Sequence, residues 1–166
     1  MPDDCLTPYS VTKVAGEKLC KMYTDLFNLE TVTFRYFNVY GERHPIKGQY
    51  APVVGIFIRQ KNNNEDLTIV GDGLQTRDFT HVSDIIRANI LAADLTNKKP
   101  VGKVINLGTG TNSSILEIAK MVSDKYVFMP ARLGEVRDTL ADIGKAKKLL
   151  GWSPTIRVQD WIKNNT

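Results

Sequence analysis

The sequence predicts an α/β protein in which helices cover a layered sheet, and three features carry that expectation. Apolar residues recur at helical spacing through Val11, Val14, Ala15, Leu19, Met22 and Leu26. A β-branched and aromatic run from Thr31 to Phe37 follows directly, as a buried strand requires. Beyond it, helix-spaced and strand-like segments keep alternating towards the C-terminus.

The first helix has its start signal in Thr7, an N-cap, and in Pro8, whose fixed φ suits the first helical position. Gly41, Pro45, Gly48 and Pro52 then mark a loop, and a helix over about 53–61 is stopped by Asn62-Asn63-Asn64. Short strands are expected at 67–70 and 78–82. Ser83 can cap a helix to Leu95, whose residues Ile85, Ile86, Ala88, Ile90, Leu91 and Ala92 are dense enough for a mostly buried element. A strand at 104–107 leads to a capping box, Ser114 with Glu117, and so to a helix over 115–124. Tyr126 to Met129 reads as the last strand, 141–150 as a short helix stopped by Gly151, and 158–163 as a final turn or two.

Composition bounds the function. A length of 166 residues suits one domain with a real core. No apolar run approaches a membrane span, and the start at Met1 lacks the regions of a signal peptide, so a cytoplasmic protein is expected. A net charge of +4 is too small to argue for nucleic acid. Cys5 and Cys20 have neither metal-ligand nor redox spacing and read as free thiols. His44 and His81 read as structural or surface residues, and no metal site is expected.

The chemistry-bearing signal is Tyr9 and Lys13, four residues apart on one helix face. The spacing puts an ammonium beside a phenol, which favours a phenolate usable as a base. Tyr-x-x-x-Lys alone is weak. It is followed, in order, by Arg35-Tyr36-Phe37-Asn38-Val39-Tyr40-Gly41, by Gly71-Asp72-Gly73-Leu74-Gln75-Thr76-Arg77-Asp78-Phe79, and by Asn106-Leu107-Gly108-Thr109-Gly110. This ordered set, spanning about 7–152, resembles the extended short-chain dehydrogenase/reductase family, the NAD-dependent epimerases and dehydratases, and most closely its UDP-sugar 4-epimerases.

The resemblance implies a fold made of the C-terminal part of a Rossmann-like parallel sheet and a small α/β substrate-binding domain. Residues 1–41 would be the remnant of the NAD-binding domain, and 42–166 mainly the substrate-binding region, with some elements returning to the Rossmann sheet. It implies Tyr9 and Lys13 as the catalytic pair, both also touching NAD, with Tyr36 near the nicotinamide. Asn38, Arg77 and Arg132 would contact the diphosphate, backbone groups around Thr68 and Val70 the uracil, and Glu135 the ribose, although glutamate there replaces the family's aspartate. Arginine suits the phosphate role because its guanidinium fork binds oxygens bidentately. Thr139 would face the C2 substituent of the sugar, and its small side chain leaves room for an N-acetyl group.

The family's glycine-rich cofactor turn and its upstream serine or threonine are not in this sequence. The chain therefore reads as a C-terminal half, inactive alone, with NAD as cofactor and a UDP-sugar as substrate. Self-association or a partner half is expected to cover its apolar edge. Two alternatives stand beside the 4-epimerase: a 4,6-dehydratase or decarboxylase of the same family, and a UDP-sugar-binding or oligomerisation module without catalysis.

Overall fold

A computed structural model describes residues 7–45, 51–94, 96–132, 134 and 136–166. Helix α1 (Pro8–Phe27) leads into β1 (Val32–Tyr36) and β2 (Val39–Tyr40). Then come α2 (Val53–Asn62), β3 (Leu67–Val70), β4 (Thr76–Arg77), β5 (Thr80–His81) and α3 (Val82–Ala92). Strands β6 (Lys103–Leu107), β7 (Ser113–Ser114) and β8 (Tyr126–Met129), with helices α4 (Ile115–Val122), α5 (Gly144–Leu150) and α6 (Val158–Asn165), complete the order. The short strands β2 and β7 were not legible in the sequence.

Strand pairing is mostly parallel, as an α/β fold requires. β1 pairs with β6, β2 with β5 and β3 with β8, all parallel, while β4 and β7 are antiparallel. Two apolar clusters form beneath these pairs. In one, Phe57 of α2, Leu67 and Ile69 of β3, Ile118 of α4 and Ile162 of α6 pack around Tyr40. In the other, Ile105 and Leu107 of β6, Ala88 of α3 and Ala146 of α5 pack around Trp152.

Helix α1 starts as the sequence indicates, with a capping box between Thr7 and Ser10 and Pro8 in its first turn. It ends at Asn28, which takes the left-handed conformation at φ 56°. None of its residues is buried. A two-pronged ion pair from Arg35 of β1 to Glu17, at 2.6 Å on each arm, holds the helix to the sheet. The Thr24 and Thr31 hydroxyls, 2.7 Å apart, add a second tie. The apolar stripe found in the sequence instead faces outward at Val11, Leu19, Met22 and Leu26, and Phe27 beside it is exposed too.

Two expectations for α3 need correction. Its N-cap is His81 rather than Ser83: the Nδ1 atom accepts the Ser83 N–H at 3.2 Å, and the helix begins at Val82. It is also only half buried, since Ile86 and Ile90 are exposed while Ile85 and Ala88 pack inward. The strand expected over 78–82 is reduced to β5, since Asp78 lies outside the ladder as a hydrogen-bond hub and Val82 already begins α3. The helix expected from 141 begins at Gly144.

Candidate active site

The Gly-Asp-Gly turn after β3 is built from two left-handed glycines, Gly71 at φ +67° and Gly73 at φ +72°. A Cβ on Gly73 would also lie 2.9 Å from Ile69 Cγ2. Asp72 between them accepts the Leu74 N–H at 2.9 Å and receives both arms of Arg137 at 2.8 and 3.0 Å. The Arg137 fork, then the Leu74 N–H, hold the Asp72 carboxyl below its ordinary range. The turn after β3 and the loop after β8 are thus clamped together, a partnership not visible in the sequence.

Asp78 was not singled out from the sequence as a functional position, yet it organises the site from full burial. Its carboxylate accepts from the backbone N–H groups of Thr109, Gly110 and Ala141 and from the Thr109 hydroxyl, at 2.7 to 3.1 Å. This explains the Gly108 of the Asn-Leu-Gly-Thr-Gly segment, since a Cβ there would meet Ala141 and lie 2.7 Å from Asp78 Oδ2. The signal available in the sequence was an acid directly after Arg77 within the Gly71-to-Phe79 motif.

Around this scaffold opens a cleft of about 400 Å³. Its lining includes Asn38, Thr68, Val70, Arg77 and Arg132, five of the sequence-derived substrate positions, brought together from four separate segments. Arg77 donates from Nη1 to the carbonyls of Thr76, at 2.8 Å, and Arg137, at 3.2 Å, which fixes its guanidinium beside the cleft. Asn38 sits at φ 34°, a left-handed position suited to asparagine. Its Nδ2 donates to Asp78 O at 2.9 Å and to Thr139 Oγ1 at 3.2 Å.

Thr139 is not among the residues lining the cleft; its hydroxyl is engaged by Asn38 and by the Asp78 N–H at 3.3 Å. Glu135 lies outside the described residues, as does Cys5. Tyr36 is half exposed and donates its hydroxyl to Asn89 Oδ1 at 3.2 Å. Tyr9 and Lys13 share one face of α1, with Nζ 5.3 Å from the centre of the Tyr9 ring. The Tyr9 side chain is 62% exposed, and no residue of α1 lines the cleft.

The chain is similar to known proteins along nearly its whole length. The model of the NAD dependent epimerase/dehydratase family matches residues 2–108. The chain is 38% identical to a putative UDP-glucose 4-epimerase of Methanocaldococcus jannaschii, over 99% of this chain and 56% of the relative. It is 35% identical to a UDP-N-acetyl-alpha-D-glucosaminuronate decarboxylase of Bacillus cytotoxicus, over 93% of this chain and 50% of the relative. Among solved structures it is similar to the UDP-glucuronic acid 4-epimerase of Bacillus cereus in complex with UDP-glucuronic acid and NAD. There the TM-score is 0.86 at 38% identity, covering 96% of this chain and 51% of the other. The chain spans about half the length of the relatives it matches. With these likenesses running through its mainly parallel sheet and its motif-built cleft, the chain belongs to the NAD dependent epimerase/dehydratase family.

Proposed function

We propose that the chain is the C-terminal half of an NAD-dependent UDP-sugar 4-epimerase and carries most of its substrate-binding region. The observation that carries this reading is the convergence of Asn38, Thr68, Val70, Arg77 and Arg132 on one cleft. Two guanidinium groups at that cleft suit a diphosphate, whose oxygens they can clamp in pairs. The edge of β3 offers backbone groups to a base, and the sugar would then extend towards Asn38. Residues 1–41 belong, on this reading, to the NAD-binding domain and 42–166 mainly to the substrate-binding region.

Tyr9 and Lys13 fit the nicotinamide-ribose end of NAD. Both are exposed on one helix face, and neither terminal group is hydrogen-bonded to a described residue. When bound, NAD supplies a reversible hydride acceptor. Tyr9 would take the proton from the sugar O4 hydroxyl as C4 is oxidised and return it when the 4-keto sugar is reduced from the other face. Lys13 would hold the ribose and stabilise the phenolate electrostatically. Tyr36 would bound the nicotinamide side. Thr139, through its bonds to Asn38 and Asp78, would set the space available to the C2 substituent, so that N-acetylated sugars are accepted. Glu135 would reach the ribose. A second copy or a partner half would cover the exposed face of α1.

A decarboxylase of the same family is the second reading, supported by the 35% identity to the B. cytotoxicus enzyme. Thermal unfolding with UDP-glucose, UDP-GlcNAc, UDP-glucuronic acid or NAD added singly tests the proposal, because a ligand of the folded state raises Tm with its concentration. The expected result is stabilisation by UDP-sugars and little by NAD. No shift with any UDP-sugar would overturn the assignment of the cleft.

A further inference from the structure

A second cavity, of about 290 Å³, meets the first at Arg77 and Phe79, the two residues that line both. Thr109, Thr111 and Asn112, from the segment between β6 and β7, form part of its wall, and Arg157 and Gln159, at the start of α6, form another part. Gln159 Nε2 donates to Ser113 Oγ at 3.0 Å and ties the two parts together. Phe79, 4% exposed, and Val158, 5% exposed, give the cavity an apolar floor. Of the residues lining it, only Arg77 is among the substrate positions that the motifs imply.

The lining carries two guanidinium groups and several hydroxyls and amides, with no carboxylate among the described residues. Arg157 is exposed, and its side chain makes no hydrogen bond or ion pair with a described residue. Two amide oxygens, Asn112 Oδ1 and Gln159 Oε1, accept from no described residue either, since each amide is used through its nitrogen, towards Thr76 Oγ1 and Ser113 Oγ. Guanidinium groups select phosphate oxygens. Unengaged amide oxygens above an apolar floor suit the hydroxyls and the C–H face of a sugar. The volume is near the lower bound of about 300 Å³ for small-ligand sites, which fits one phosphorylated monosaccharide and not a dinucleotide.

We propose that this second cavity is an effector site for a small sugar phosphate, coupled to the first cleft through Arg77. The Arg77 Nη1 is held by the Thr76 and Arg137 carbonyls at 2.8 and 3.2 Å, which anchors the guanidinium at the junction of the two cavities. One fixed charge then serves two anions that also repel each other, so each ligand weakens the other. Such coupling is reciprocal and typically amounts to about fivefold or more. Binding in the second cavity does not depend on what fills the first; the coupling rests on reading the first as a UDP-sugar site.

Glucose 6-phosphate titrated into the full chain, with backbone amides followed by NMR, tests the site itself. Shifts that saturate at Thr111, Asn112 and Gln159 are expected. Arg157→Ala, at an exposed position, should weaken this binding by about tenfold, and Arg157→Lys, which keeps the charge, should weaken it less. Shifts confined to Ala51, Thr68 and Val70, or undiminished binding by Arg157→Ala, would overturn the proposal. Inorganic phosphate separates the sugar from the anion: binding as tight as that of glucose 6-phosphate would leave an anion site and overturn the sugar assignment. For the coupling, calorimetric titration of UDP at rising glucose 6-phosphate should show Kd climb at least about fivefold and then level off. A climb in direct proportion to concentration, unchanged in Arg157→Ala, would put the anion in the first cleft and overturn the second site. A parent chain that binds glucose 6-phosphate but not UDP overturns the reading of the first cleft, and the coupling with it, while the second site stands.

Discussion

Helix α1 and the cleft are built in opposite ways. The 20-residue α1 carries the proposed catalytic pair, Tyr9 and Lys13, yet buries none of its residues, whereas α4, with eight residues, buries Ile115, Ile118, Ala119 and Val122. Cleft residues such as Asn38, Gln75 and Arg77 are anchored by hydrogen bonds to neighbouring backbone carbonyls. α1 is tied to β1 and the turn before it through the Arg35–Glu17 ion pair and the Thr31 hydroxyl, which meets the Thr24 hydroxyl and the Cys20 carbonyl. A helix can be specified locally by its cap and spacing, but its apolar face gains stability only where another surface covers it. The proposed binding cleft is therefore packed within this chain, whereas the face of α1 that bears the proposed catalytic pair is uncovered among the described residues.

The comparison breaks most visibly at Asp84, which locks α3 to the segment after α5. Its fully buried carboxylate accepts from the Thr155 N–H and hydroxyl, the Ile156 N–H and the Arg87 guanidinium. Asp84→Ala should cost about 3–5 kcal/mol in urea unfolding, because it orphans several donors at once. Burial alone would raise this carboxyl, but the Thr155, Arg87 and Ile156 donors outweigh it and hold it below the ordinary range. A lowered folded value means the stabilisation is complete above about pH 4, the unfolded value, and is lost as pH falls through the folded one. Asp84→Asn should flatten that acid limb of the stability curve.

Arg132→Ala comes next. Its side chain is exposed at the cleft, so unfolding should change by less than about 0.5 kcal/mol. UDP affinity should drop by about tenfold or more, the worth of a hydrogen bond to a charged group. Titration of UDP against the parent and variant checks both; a matched loss of stability would show that Arg132 holds the loop rather than the ligand.

The capping boxes sharpen the contrast at about 1 kcal/mol. Ser114→Ala should lower global stability by that amount because α4 is part of the core. Thr7→Ala should leave the global transition almost unmoved and instead speed amide exchange in the first turn of α1. Equal effects on the two global transitions would mean that α1 folds as one unit with the rest.

What could be read from the sequence follows the same division. Local signals were sufficient for α1, for α4 with its Ser114–Glu117 box, and for β3, β6 and β8, whose short β-branched runs have one obvious conformation. The two-residue strands β2 and β7 have no periodicity to detect. His81 capped α3 unannounced, because a histidine acceptor is not a usual N-cap and Ser83 was the stronger local candidate. Motif order named five residues that line the cleft, whereas the Asp72–Arg137 clamp and the Asp78 hub depend on loops distant in sequence meeting in space. The exposed stripe of α1 was legible as spacing, but spacing alone does not say what covers it.

The smallest expected effect is the most direct test of that stripe. Leu26 is 67% exposed and Phe27 64%, so a combined Leu26→Ser and Phe27→Ser variant removes little packing within a single chain. At concentrations where sedimentation shows single chains, unfolding should shift by no more than about 0.5 kcal/mol. Truncations of this size in a core cost about 2–5 kcal/mol each. The same variant should lower the tendency of the chain to self-associate at higher concentration, since contiguous exposed apolar surface favours association. A loss of several kcal/mol in the single-chain regime would mean that α1 is packed against its own chain in solution, and the contrast between an uncovered α1 and a well-anchored cleft would fail.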